Sequence, residues 1–135
     1  MCGITGFWVS AFPGPEVAND LLRSMAQPLT HRGPDDHGIW HDAEAGVGLA
    51  HRRLSIVDLS EHGRQPMVSA SGRYVFTYNG EVYNFAAVRA ELDASGQAPA
   101  WRGHSDSEIL LAAIEAWGLR RTVERCVGMF AFALW

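Results

Sequence analysis

The run Gly128-Met129-Phe130-Ala131-Phe132-Ala133-Leu134-Trp135 constrains the fold more than any other stretch. A strand with one face in water alternates apolar and polar residues. This run does not alternate, so it predicts a strand covered on both faces or sandwiched between layers. The composition can supply such layers: 47% of the 135 residues are hydrophobic and 19% charged, as in ordinary globular chains. One domain is expected at this length, burying about two-thirds of its unfolded surface.

The rest of the chain reads as short strands in clusters with helices between, an α+β pattern. Cys2 to Ser10 is β-like, with apolar Ile4, Phe7, Trp8 and Val9. Pro15 and Glu16 suit a helix start. Val17, Leu21, Leu22, Met25 and Leu29 then recur at helical spacing. After the polar loop His31–Asp36, strands are expected at 37–41, 46–51 and 54–58, and loop over 59–71. Arg73–Tyr78 reads as a strand ended by an Asn79-Gly80 turn. Asn84 would cap a helix running to Ala94, stopped by Gly96. Ser105-Asp106-Ser107-Glu108 matches a capping box, opening a helix that carries Ile109, Leu110, Ala113, Ile114 and Trp117. A short helix over 120–125 leads into the apolar run. A chain that stops inside an apolar strand reads as the front part of a longer protein.

Charge excludes several functions. The net charge of −4 disfavours a nucleic-acid or anionic-membrane partner, since both need a positive field. All 11 basic residues are Arg. Without Lys there is neither Schiff-base chemistry nor a P-loop. No apolar run reaches transmembrane length, and no basic n-region of a signal peptide precedes MCGITGFWVS. A soluble, cytoplasmic protein is expected, and there a Cys2–Cys126 disulfide is not. The six histidines lack further ligands at metal spacing, so no metal site is expected.

Several residues have both a chemical and a plain reading. Once Met1 is removed, Cys2 carries a thiol and a free α-amine of pKa about 7.7–8.0. A nucleophile can be activated by its own terminal amine. Alternatively Cys2 is an incidental small residue. Asn79 beside the Gly80 N–H supplies the two donors of an oxyanion hole, or simply a turn. Arg53 can grip a carboxylate bidentately, and Asp106 an ammonium. Equally, they are a surface charge and a helix N-terminal charge.

Taken in order, Cys2-Gly3-Ile4-Thr5-Gly6, His31-Arg32-Gly33-Pro34-Asp35, Arg53-Leu54-Ser55-Ile56-Val57-Asp58, Asn79-Gly80-Glu81-Val82-Tyr83-Asn84, Ser105-Asp106 and Gly128-Met129-Phe130-Ala131-Phe132 are far more specific than any one of them. The whole chain resembles the class II (N-terminal nucleophile) glutamine amidotransferase domain of glutamine-hydrolysing asparagine synthetases. Amidotransferases of surface-polysaccharide synthesis belong to the same branch.

The resemblance implies an αββα sandwich of two antiparallel sheets between helical layers, incomplete at its C-terminal end. It implies that Cys2 attacks the side-chain amide of L-glutamine with its own amine as base. Asn79 and the Gly80 N–H would hold the oxyanion, each donor being worth about 10²–10³ in rate. Arg53 would bind the α-carboxylate, and Glu81 and Asp106 the α-amine. The backbone of Leu54, Ser55, Ile56 and Val57 would line the pocket. His31–Asp36 would form a structural turn beside it. Ammonia would leave a glutamyl thioester that water hydrolyses to glutamate, and would reach a synthetase domain that aminates aspartate with ATP and Mg²⁺. No cofactor is implied in the glutaminase domain itself. The family's later Arg-Asp, Lys-Pro-Leu-Tyr and Ser-Gly-Gly-x-Asp-Ser segments are absent from this chain, so a partial domain without the synthetase, or a glutamine-binding fragment without turnover, is expected.

Overall fold

The computed structural model describes residues 1–55 and 61–135. Two antiparallel three-stranded sheets face each other between helices. The first sheet holds β1 (Gly3–Trp8), β2 (Asp36–Asp42) and β3 (Val47–Arg53), in the order β1-β3-β2. The second holds β4 (Met67–Val68), β5 (Val75–Val82) and β6 (Gly128–Leu134), in the order β4-β5-β6. Helix α1 (Pro15–Ala26) covers the first sheet. Helix α3 (Asp106–Trp117) covers the second, flanked by α2 (Phe85–Ala94) and α4 (Leu119–Arg125). This is the expected layered α+β architecture.

Register sorts the side chains. β3 pairs with β1 and β2 so that His51 lies between Ile4 and Gly38, and Leu49 between Gly6 and Trp40. Directly opposed residues share a face, and this face meets β5 through Val47, Leu49 and Val75. His51 Nδ1 lies 3.1 Å from Thr77 Oγ1, a buried polar link between the sheets. The opposite face of β3 turns Ala50 towards α1. On β5, Phe76, Tyr78 and Val82 point the other way, onto Leu110, Leu111 and Ile114 of α3. Burying Phe76 completely stabilises the layer by about 2–3 kcal/mol.

Several expectations need correction. The apolar face of α1 is Ala18, Leu22 and Ala26, while Val17 and Leu21 are exposed. Two alanines let the helix lie close on Ala50. The helix also stops before Leu29, which belongs to a 3₁₀ turn. Leu54 and Ser55 are irregular rather than strand, and the remainder of that expected strand lies outside the described residues. The expected loop after it contains a 3₁₀ turn and β4. Strand β6 is not covered on both faces. Among the described residues it pairs only with β5, with Met129 60% exposed and Ala131 exposed. Its uninterrupted apolar character serves one face, where Phe130 and Phe132 meet Tyr78 and Phe76.

The helix termini follow local chemistry. Ser105 Oγ accepts the Glu108 N–H, as a capping box requires. The Glu108 carboxylate reaches further back than the box predicts, accepting the N–H groups of Arg102 and Gly103 at 2.8 and 2.9 Å. Asn84 occupies the N-cap of α2 but does not bond there. Its side chain accepts from the Val127 N–H and donates to the Arg125 carbonyl, tying α2 to the entry of β6.

Candidate active site

Both sheets and the N-terminus of α3 surround one cavity of about 130 Å³. From the first sheet comes Arg53, with Cys2 just before β1 and Leu54 just after β3; from the second come Asn79, Gly80 and Glu81; from the N-terminus of α3, Asp106. The register explains the first group. One step beyond the Gly3–Arg52 pair, Cys2 sits beside Arg53. The Leu54 N–H donates to Cys2 Sγ at 3.3 Å, and Arg32 Nε donates to the Cys2 carbonyl at 3.1 Å. The nucleophile candidate is therefore held at both its sulfur and its backbone. Both cysteines are free thiols, and burial pushes the Cys126 thiol up.

The polar loop at 31–36 acts as scaffold. Arg52 Nε donates to the Gly33 carbonyl at 3.2 Å, and the Asp35 N–H donates to the Arg53 carbonyl at 3.0 Å. A Cβ on Gly33 would lie 2.3 Å from the Arg52 carbonyl oxygen, so only glycine lets the loop approach β3 this closely. Asp35 Oδ2 accepts the Ser55 N–H at 2.7 Å, which engages Ser55 with the loop rather than the cavity. Ile56 and Val57 lie outside the described residues. Arg53 is buried, 7% exposed, on the row opposite Asp36. Burial pushes the Asp36 carboxyl up, but bonds from Arg64 and the His37 N–H, with the charges of Arg64 and Arg53, outweigh it and hold it below its usual value.

Asn79-Gly80 is not a turn. Strand β5 runs through both residues, with Asn79 opposite Ala131 and Gly80 opposite Phe130. Pairing with β6, far away in sequence, overrides the local turn preference. A Cβ on Gly80 would fall 2.3 Å from the Met129 carbonyl oxygen and 2.5 Å from Phe130 Cα, so glycine is required by the neighbouring strand.

The hydrogen-bond alternation then places the donors. Val75 and Trp135 exchange both backbone bonds, and the Tyr83 N–H donates to the Val127 carbonyl. Odd-numbered residues of β5 therefore bond to β6, and even-numbered residues turn their N–H groups to the other edge. On that edge the Tyr78 N–H donates to Gln65 Oε1 at 2.6 Å, and the Val82 N–H to Asp106 Oδ2 at 3.0 Å. The Gly80 N–H lies between these two capped donors, on the edge that borders the cavity. Asn79 Oδ1 is buried without a partner among the described residues.

Asp106 is 7% exposed, and its Oδ2 also accepts the Tyr78 hydroxyl at 2.7 Å. Burial first, then the Asp106 charge, push the Tyr78 phenol far above its ordinary value, so it remains a donor. Arg32, Gln65 and Tyr78 escaped assignment from sequence. Arg32 stood in the motif read as a structural turn. Tyr78 read as an apolar strand residue, and nothing nearby in sequence signals its helix partner. Among the described residues no group of His, Cys, Asp and Glu could hold a metal ion, and no helix is long and apolar enough to cross a membrane.

Comparison with known families identifies the family of this chain. The chain belongs to the glutamine amidotransferase domain family, whose model matches residues 1–135. It is 38% identical over 137 residues to "Asparagine synthetase [glutamine-hydrolyzing] 1" of Bacillus subtilis, covering 100% of this chain and 21% of that protein. It is 37% identical over 135 residues to "Asparagine synthetase B [glutamine-hydrolyzing]" of Escherichia coli, covering 100% and 23%. It is 36% identical over 145 residues to "Amidase chry2" of Gibberella zeae, covering 100% and 21%. The chain thus spans about a fifth of the length of the curated relatives it matches.

Proposed function

We propose that this chain is a glutaminase domain of the N-terminal-nucleophile type, which hydrolyses L-glutamine through Cys2 and supplies ammonia to a synthetase domain. The observation that carries the proposal is the convergence of Cys2 Sγ, fixed by the Leu54 N–H, with Arg53, Asn79, Gly80 and Asp106 around one cavity. Arg53 binds the glutamine α-carboxylate, and Asp106 with Glu81 binds the α-ammonium. Gripping both ends of the amino acid aims its amide at the sulfur, where orientation contributes most.

The thiol proton passes to the α-amine of Cys2 as sulfur bonds to the amide carbon. The side-chain amide of Asn79 and the Gly80 N–H take the resulting oxyanion. The amine then returns the proton to the departing nitrogen, the C–N bond breaks, and ammonia leaves a glutamyl thioester. Water attacks that thioester with the same amine as base and releases glutamate. This scheme requires removal of Met1, which is 61% exposed and lines the cavity mouth. In the longer protein, the ammonia would serve ATP- and Mg²⁺-dependent amidation of aspartate to asparagine in the cytoplasm.

The test is ammonia release from glutamine by this chain and by Cys2→Ala, with the N-terminal mass recorded for both. Release that depends on Cys2 in protein lacking Met1 is expected. Equal release by the variant would overturn the assignment.

A further inference from the structure

Tyr78 turns away from the facing sheet and reaches α3. Its hydroxyl donates to Asp106 Oδ2 at 2.7 Å, and the Val82 N–H donates to the same oxygen at 3.0 Å. A carboxylate oxygen offers two lone-pair directions, so these two donors fill Oδ2. Oδ1 remains as the acceptor for anything in the cavity, which Asp106 and Tyr78 both line. The phenol is itself held firmly. Tyr78 is 3% exposed, its ring stacks on Phe76, and its N–H donates to Gln65 Oε1.

We infer that Tyr78 is a positioning residue that fixes the rotation of the Asp106 carboxylate and so sets the site's selection for a substrate bearing a free ammonium group. This rests on the reading above that Asp106 receives the α-ammonium. The Val82 N–H alone would leave the carboxylate free to turn about its last bond. The hydroxyl supplies the second donor that stops it. Nothing local in the sequence demands tyrosine here, because the preceding layer of core would accept any large apolar ring. The hydroxyl is the part that the core does not need.

The experiment reads how far glutamine shields Cys2 from an alkylating reagent, over times too short for the glutamine to be consumed. Iodoacetamide alkylates Cys2, the carbon–sulfur bond forming as iodide leaves, and it carries no ammonium to engage Asp106. Mass spectrometry of the N-terminal peptide follows Cys2 separately from Cys126. The concentration of glutamine that halves the Cys2 alkylation rate is measured for the full chain and for variants. In Tyr78→Phe it is expected to rise about tenfold, the worth of one hydrogen bond to a charged group, while the rate without glutamine stays as in the parent. Tyr78→Met, which also lacks the hydroxyl and fills core gaps adaptably, is expected to show the same rise. It decides the matter if the phenylalanine variant does not fold, half-protection as in the parent overturning the inference.

Unchanged half-protection in Tyr78→Phe, with a large rise in Asp106→Asn, refutes the role of Tyr78 alone. Unchanged protection in Asp106→Asn refutes the ammonium site, and this inference with it. Failure of glutamine to protect the parent chain removes the glutamine site altogether.

Discussion

Acidification should destabilise this protein through His51. The residue lies on β3 one row below Arg53 and is 1% exposed. Its Nδ1 contacts Thr77 Oγ1, and its Nε2 is buried without a partner among the described residues. A proton on Nδ1 that is given to Thr77 leaves Nε2 as a bare lone pair, which the interior tolerates. Charging the ring would place an unpaired N–H there. Burial chiefly, and then the Arg53 charge, lower the His51 pKa from 6.5 to about 4, with Asp36 opposing.

The folded value lies below the unfolded one, so between these pH values the unfolded chain binds more protons. Stability is complete above about pH 6.5 and is lost as pH falls towards about 4. The slope is about 1.4 kcal/mol per pH unit, giving a loss of about 3 kcal/mol across the window. Urea unfolding at pH 7.5, 6.0 and 4.5 is the assay, with His51→Gln as reference because glutamine does not titrate. The Asp36 carboxyl is held below its ordinary 3.8, so its contribution is lost at lower pH and is common to both proteins. The parent should lose stability between pH 6.5 and 4.5 faster than the variant. Parallel profiles would refute the claim that a buried neutral histidine joins the sheets.

Two further outcomes follow from the site. Asn79→Ala should lower the glutaminase kcat by about 10²–10³ with a smaller change in KM, because an oxyanion donor acts in the transition state; a pure KM effect would place the amide elsewhere. Gly80→Ala should lower stability by about 1–3 kcal/mol, because its Cβ would meet Met129 and Phe130 backbone atoms at 2.3 and 2.5 Å. An unaltered melting temperature would mean that β6 yields freely.

Much of the local structure was legible from sequence because its causes lie within a few residues. Pro15 opens α1, Ser105 caps α3, and Gly96 and Gly118, with φ of +70° and +83°, follow the ends of α2 and α3. The site motifs could also be recognised from their order along the chain, although that order does not state what the residues touch. The errors concern effects that act at long range. A helix buries the face that its sheet can approach, so the alanines of α1 were chosen over Val17 and Leu21. Whether an apolar strand is central or at an edge depends on its neighbours, and among the described residues β6 pairs with β5 alone.

By itself, then, the sequence determined the elements, the motifs and the chemistry available: one thiol near the chain start, an amide beside a glycine, and arginine as the only basic side chain besides histidine. Only the tertiary structure decided that Asn79-Gly80 continues a strand. Pairing with β6 sends alternate N–H groups to the far edge, where Gln65 and Asp106 cap the donors on either side of Gly80. The strand penalty of Asn and Gly is about 1 kcal/mol or less, and a ladder of backbone hydrogen bonds formed across some fifty residues outweighs it.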